Sequence, residues 1–275
     1  MQEKTRKLIE AAYEVLSQYT PMTLRQCYYQ LVSKHIIDNN LNEYKRLSNA
    51  LVKARQEGII PWEWIEDRTR QPRVVSMWRD LTGFLNTVRE AYRKNIWPNQ
   101  PSYLEVWVEK EALSGIFEAI TNKYGVTLVV GRGYNSWSAL REAAERIICY
   151  DKPATVLYFG DFDPSGEDIV RALTEGLAFF GTRPKVIKVA LTKEDVLAYN
   201  LPPDFTKKTD TRARKFIEQY GDMAVELDAL PLPVLQQKIE DSVEENLDLS
   251  AFDETLSQQE AEQERLLKLL EGQNN

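Results

Sequence analysis

The sequence predicts an α/β protein: an N-terminal helical unit followed by a parallel sheet with helices on both faces. Two observations carry this. Over the first hundred residues, apolar side chains recur at helical spacing. Beyond a break at Trp97-Pro98-Asn99-Gln100-Pro101, short apolar runs alternate with helical patterns, as a series of βαβ units requires. The composition agrees, because 275 residues with 43% hydrophobic content supply an ample core. The expected division is 1–96 for the helical unit, 102–250 for the sheet unit and 251–275 for an acidic tail.

The elements follow in order. Residues 4–17 place Leu8, Ile9, Ala12, Tyr13 and Leu16 on one helical face, and Thr20-Pro21 ends that pattern. Thr23 opens a second helix with Gln26 three residues on, the spacing of a capping box. A third helix is expected over 42–57, with a core stripe of Tyr44, Leu47, Leu51 and Ala54, stopped by Gly58. Residues 59–75 mix Arg68, Arg70 and Arg73 with aromatics and prolines, like a wing or arm. Three short helices and a basic irregular segment fit a winged-helix unit, and an ordinary helical subdomain with solvated charges fits them too. A further helix is expected over 76–94. After the break, strands are expected at 103–109, 126–130, 155–160 and 185–190, and helices at 112–124, 136–149 and 166–180. Helices near 211–220, 231–247 and 256–271 close the chain.

Charge is uneven along the chain. The first hundred residues carry 16 basic and 11 acidic side chains, and the remainder carries 19 and 31. A net charge of -7 therefore conceals an N-terminal part suited to a polyanion and an acidic tail suited to solvent or a partner. No apolar run has the length of a membrane span, and the first residues show no signal-peptide pattern. The two cysteines, Cys27 and Cys149, have no metal-ligand spacing and read as small buried hydrophobes in a reducing, intracellular setting. The one histidine, His35, reads as a helix-end residue and rules out a His-rich metal cluster.

The most telling stretch is Val156-Leu157-Tyr158-Phe159-Gly160-Asp161-Phe162-Asp163-Pro164-Ser165-Gly166. A buried strand runs into two carboxylates at i and i+2, which share a face if the chain stays extended. Ser165 can cap a helix from about 167 to 180. Glu109 ends the first strand in Val106-Trp107-Val108-Glu109-Lys110-Glu111, at the same edge of the predicted sheet. Glu109, Asp161 and Asp163 would supply hard oxygen ligands for Mg2+. An acidic turn and a surface ion pair read equally well from spacing alone. Gly131-Arg132-Gly133-Tyr134-Asn135-Ser136 follows the second strand as a tight turn or a phosphate cradle. In the second helix, Tyr28 falls on the apolar stripe, and Tyr29 is rotated about 100° from it, over Arg25 one turn earlier. Tyrosine beside a guanidinium suits attack on a phosphate, and both tyrosines packing at a domain edge suits the pattern as well.

The order of these pieces resembles the A subunit of topoisomerase VI and the related meiotic double-strand-break proteins. The resemblance covers about 20–243 and rests on Arg25…Tyr28-Tyr29, Val108-Glu109-Lys110-Glu111-Ala112, Gly131-Arg132-Gly133-Tyr134, Gly160-Asp161-Phe162-Asp163-Pro164-Ser165-Gly166 and Val225-Glu226-Leu227-Asp228-Ala229-Leu230. It implies a winged-helix domain bearing a catalytic tyrosine and a Toprim domain that binds Mg2+. By that resemblance Tyr29 attacks DNA with Arg25 beside it, and Glu109, Asp161 and Asp163 hold the metal. Glu226 and Asp228 match a family element to which no role is given. Double-stranded DNA is the expected partner, in a homodimer where the tyrosine of one subunit serves the metal of the other. A separate B-type ATPase subunit would be needed for strand passage, and a cytoplasmic, nucleoid-associated protein follows. The chain departs from the family in being shorter, in Asn135 where proline is common, and in its acidic tail; it is closer to compact, stand-alone A-like proteins. Two other functions keep parts of the pattern: a Toprim nuclease using metal-activated water, and a non-catalytic winged-helix DNA-binding protein.

Overall fold

A computed structural model describes residues 3–67, 74–131, 136–203 and 213–271. The N-terminal helices are α1 (Glu3–Gln18), α2 (Leu24–Ser33), α3 (Leu41–Gln56) and α4 (Leu81–Ala91). The sheet unit runs β1 (Tyr103–Val108), α5 (Ser114–Tyr124), β2 (Thr127–Val130), α6 (Trp137–Tyr150), β3 (Ala154–Phe159), α7 (Pro164–Phe179) and β4 (Lys185–Ala190). It continues with α8 (Lys193–Ala198), α9 (Ala213–Tyr220), α10 (Leu232–Glu244) and α11 (Leu249–Glu271). The fold is α/β, with a four-stranded parallel sheet flanked by helices.

The strand order is β2-β1-β3-β4. The chain leaves β1 for β2 on one side and then crosses to β3 on the other. The C-terminal ends of β1 and β3 therefore flank the point where the winding direction reverses, which is where open α/β sheets leave a crevice. Every residue of β1 is buried, because helices cover both faces of a central parallel strand.

In the N-terminal unit, α1, α2 and α3 bury Leu8, Ile9, Leu16, Leu31, Leu47 and Leu51 in a common core. The Thr23–Gln26 capping box forms as the spacing predicts, and Gly58 takes a positive φ of 72° just past α3. The residues after α3 differ from the expected wing. Among the described residues this unit has no β-hairpin, only a 3-10 turn at Trp62–Trp64 and an isolated parallel bridge between Met22 and Ile65. Arg68, Arg70 and Arg73 lie outside the described residues. The fourth helix is shorter than its apolar pattern, because Asp80 accepts a hydrogen bond from the Gly83 N–H at 2.8 Å and so caps the helix at that point.

Two further expectations change. Trp97 belongs to the sheet core, edge-on to Tyr103, and Lys152 Nζ donates to the carbonyls of Trp97, Pro98 and Gln100. The break in the sequence pattern is thus a packed corner. Cys27 is buried as expected, but Cys149 is exposed, since its position on α6 turns away from the sheet. The acidic tail folds back on its own chain: Lys94 Nζ pairs with Glu262 at 2.5 Å, and Gln263 donates to the Arg89 and Tyr92 carbonyls. No helix among the described residues is long and apolar enough to cross a membrane.

Candidate active site

The edge shared by β1 and β3 is built from local chain geometry. Val108 pairs with Phe159, and the next N–H, that of Glu109, donates to the Phe159 carbonyl at 2.9 Å. Glu109 and Asp161 are thereby neighbours: Glu109 Oε2 accepts from the Asp161 N–H at 3.1 Å and from the Tyr158 hydroxyl at 3.0 Å. Glycine is required here for space. A Cβ on Gly160 would lie 2.7 Å from Glu109 Oε2, and one on Gly166 would lie 2.1 Å from the Asp161 carbonyl oxygen. The loop can only wrap this tightly without side chains at those two positions.

Asp163 is held by the start of the next helix. It is the N-cap of α7, its Oδ1 accepting from the Gly166 N–H at 2.6 Å, so Asp163 rather than Ser165 starts the helix. Pro164 explains the shift, because its fixed φ and missing N–H suit the first helical position. Lys188 on β4 steadies the loop by donating to the Asp161 carbonyl and to Glu167.

A long-range contact completes the edge. Phe162 and Val225 form an antiparallel bridge with both N–H···O distances at 2.9 Å. This fixes the following residues beside Asp161, whose Oδ1 accepts from the Leu227 N–H at 2.7 Å. Glu226 and Asp228 then face Lys110. The Lys110 ammonium lies 2.9 Å from Asp161, 2.9 Å from Glu226 and 2.7 Å from Asp228. Asp228 is fully buried, and its second oxygen, Oδ1, has no hydrogen-bond partner among the described residues.

Helix α2 docks onto this cluster within the same chain. Arg25 Nη2 lies 2.6 Å from Glu226 Oε2, and Tyr29 donates its hydroxyl to the same carboxylate. The Arg25 guanidinium sits 5.4 Å from the Tyr29 ring centre and Lys110 Nζ sits 6.0 Å from it. Gln30 anchors the seam by donating to the Leu230 carbonyl at 3.2 Å, and Leu232 inserts into the N-terminal core. Tyr29 is therefore buried at the seam, over Arg25 as its position predicts. The resemblance implied that tyrosine and metal edge meet across two subunits; here Arg25 and Tyr29 reach the sheet edge of their own chain.

The electrostatics follow from these contacts. Burial holds the Asp161 carboxyl up at about 6, aided by Glu109 and opposed by Lys110 and the Leu227 N–H. Burial also pushes the Tyr29 phenol upward, and its hydrogen bond to Glu226 adds to the rise against the pull of Arg25 and Lys110. For Glu226, burial acts upward but is outweighed by Lys110, the Tyr29 hydrogen bond and Arg25, which hold it at about 2. Lys110 is raised, because Asp228, Asp161 and Glu226 together overcome a large burial effect.

Of the residues singled out in the sequence, Glu109 and Asp161 come together, Arg25 and Tyr29 join them through Lys110 and Glu226, and Asp163 stands alongside as a helix cap. Lys110 was not among them, although it directly follows Glu109, since a lysine after an acid in sequence carries no signal of its own. Glu226 and Asp228 were visible only as a motif. Arg132 to Asn135 lie outside the described residues. The donor set fits a hard divalent cation in chemistry and charge: carboxylate oxygens predominate, and Asp228 Oδ1 is an acceptor with no partner among the described residues. Among the described residues, no three Asp, Glu, His or Cys side chains are already spaced as a metal-ligand group. No protein-family model matches the chain, and no curated protein matches it.

Proposed function

We propose that the protein is a Mg2+-dependent DNA-cleaving transesterase of the topoisomerase VI A type, with Tyr29 as nucleophile. The observation that supports this most is the meeting of Arg25, Tyr29 and Lys110 with the Glu109/Asp161 edge in one chain. A phenol, two cations and a carboxylate edge within a few ångströms suit attack on a phosphodiester. In the reaction, Tyr29 Oη bonds to phosphorus, the bond from phosphorus to the 3′-oxygen breaks, and a 5′-phosphotyrosyl link and a free 3′-hydroxyl result. Glu226 holds the phenolic proton in the resting state and is placed to accept it. When DNA draws Arg25 away, Glu226 becomes a stronger base, because one of the groups that depress it has gone. Arg25 and Lys110 balance the charge that builds on the phosphate oxygens. Mg2+, held by Glu109 and Asp161 with Asp163 alongside, would neutralise the phosphate and the leaving 3′-oxygen.

The helical unit serves as a winged-helix-type DNA-binding module in this reading, consistent with its basic excess. Double-stranded DNA is the substrate, two copies act together to cut both strands, and strand passage uses a separate ATPase subunit. A denaturing gel with DNA and Mg2+ tests the reading. Wild type should yield a covalent protein–DNA adduct, and Tyr29→Phe should yield none. A wild type that forms no adduct overturns it.

One observation favours a second reading. Burial and Glu226 make the Tyr29 phenol harder to ionise. A nuclease using metal-activated water would need no phenolate. It would leave product ends free of protein and keep cutting as Tyr29→Phe, while Asp161→Ala would lose cleavage.

A further inference from the structure

A cavity of about 390 Å3 opens between α2 and the start of α3, directly beside Arg25 and Tyr29. Its floor is aromatic: the Tyr28 ring lies edge-on to Tyr29 at 5.1 Å and edge-on to Tyr44 at 5.2 Å. Tyr28 also shapes the opposite wall, since its hydroxyl donates to the 38–40 loop, with Asn39 Oδ1 and the Asn40 carbonyl each 3.1 Å away. Asn39 thus uses its amide oxygen on Tyr28, and Asn40 uses its own to cap α3 at Glu43 N, 3.0 Å away. Both side chains keep their NH2 groups as donors at an exposed rim. Leu41 stands at the mouth with 66% of its surface in water.

Aromatic faces, an exposed apolar side chain, two amide donors and a guanidinium on one wall match the parts of a nucleotide. The ring of a base stacks on aromatics, its carbonyl and ring-nitrogen acceptors take amide donors, and its phosphate takes arginine. The volume has room for one nucleotide, and a base of a duplex reaches such a pocket in the protein wall only by leaving its stack. We infer that this cavity receives a single unstacked nucleobase of the DNA, next to the phosphate held at Arg25 and Tyr29. The inference rests on the DNA-cleaving reading for the identity of that phosphate.

The test compares affinities of the full chain for duplexes that are fully paired or carry one single-base bulge, walked along the site. One bulge position should bind about tenfold more tightly than the paired duplex, since extruding that base no longer opposes binding. Leu41→Ala and Tyr44→Ala should each remove most of that preference, lowering affinity for the bulged duplex about tenfold and for the paired duplex by less. Leu41→Ala guards against misfolding, as its side chain is exposed. Equal binding of bulged and paired DNA by wild type, or a preference kept in both variants, overturns the inference. Free nucleoside monophosphate is the second arm. If micromolar amounts abolish the preference, the cavity is a mononucleotide site and the assignment to a DNA base falls. The adduct gel is independent: an adduct without bulge preference leaves the transesterase standing and removes the pocket, and bulge preference without an adduct does the opposite.

Discussion

Glu105 lies within β1 and Lys110 just beyond its end, and each anchors a buried ionic cluster. Glu105 is saturated. Its two oxygens accept from the Tyr103 hydroxyl, the Trp107 indole N–H and a bidentate Arg146, at 2.8 to 3.2 Å. One negative charge meets one positive charge, and every carboxylate oxygen is used. The Lys110 cluster is unbalanced. Three carboxylates share its ammonium, Arg25 reaches them from a half-exposed position, and among the described residues Asp228 Oδ1 has no hydrogen-bond partner. A saturated, charge-matched cluster has nothing left to offer a ligand and serves to specify the core. An unsaturated one beside Tyr29 and a cavity is arranged to exchange partners.

That contrast can be broken at four points. The largest effect belongs to Tyr29→Phe, which should lower adduct formation about a thousandfold or more while leaving the melting temperature within a few degrees. A parallel loss of stability would place Tyr29 with the structural cluster instead. Arg146→Ala should do the reverse, costing about 4 kcal/mol in urea unfolding because it strands a buried carboxylate. The double variant Glu105→Gln with Arg146→Met should recover most of that loss. Lys110→Met should affect both properties: about 3 kcal/mol of stability, since three carboxylates then face one another, and loss of adduct. Mg2+ should restore part of the stability of this variant in a thermal melt and leave the Arg146→Ala protein unchanged.

The smallest effect is a pH dependence. Glu226 has its folded pKa depressed to about 2 from an ordinary value of 4.5, so its stabilising contribution is present above pH 4.5 and lost as pH falls towards 2. Glu226→Gln should therefore cost about 1 kcal/mol at pH 7, after screening at a side chain one-third accessible, and about a quarter of that near pH 2.5. Urea titrations at the two pH values measure the difference. A cost independent of pH would assign the effect to packing.

The strands were legible because each is a short, largely apolar run, three of them closed by glycine or an acid, and all four lie within a residue of their expected bounds. The pairing of Glu109 with Asp161 was legible for the same reason: parallel strands put their C-terminal residues at one edge. Helix starts were less so. Asp163 took the cap in place of Ser165, and Asp80 starts its helix later than the apolar pattern suggested, as several residues near a helix start can each cap and the backbone chooses among them. The partnership of Glu226 and Asp228 with Lys110 was not legible, since it depends on the Phe162–Val225 bridge, which joins residues far apart in the chain.

By itself the sequence determined the α/β class, the strand positions and the proximity of Glu109 to Asp161, all properties of local periodicity and of the parallel arrangement. Only the tertiary structure decided that Arg25 and Tyr29 face the sheet edge of their own chain, that Lys110 stands among three carboxylates, and that Tyr28 and Tyr44 line a cavity beside Tyr29. The physical reason is that periodicity reports which side of an element is buried. What it is buried against depends on long-range packing, and an ionic cluster is defined by those partners rather than by the residues alone.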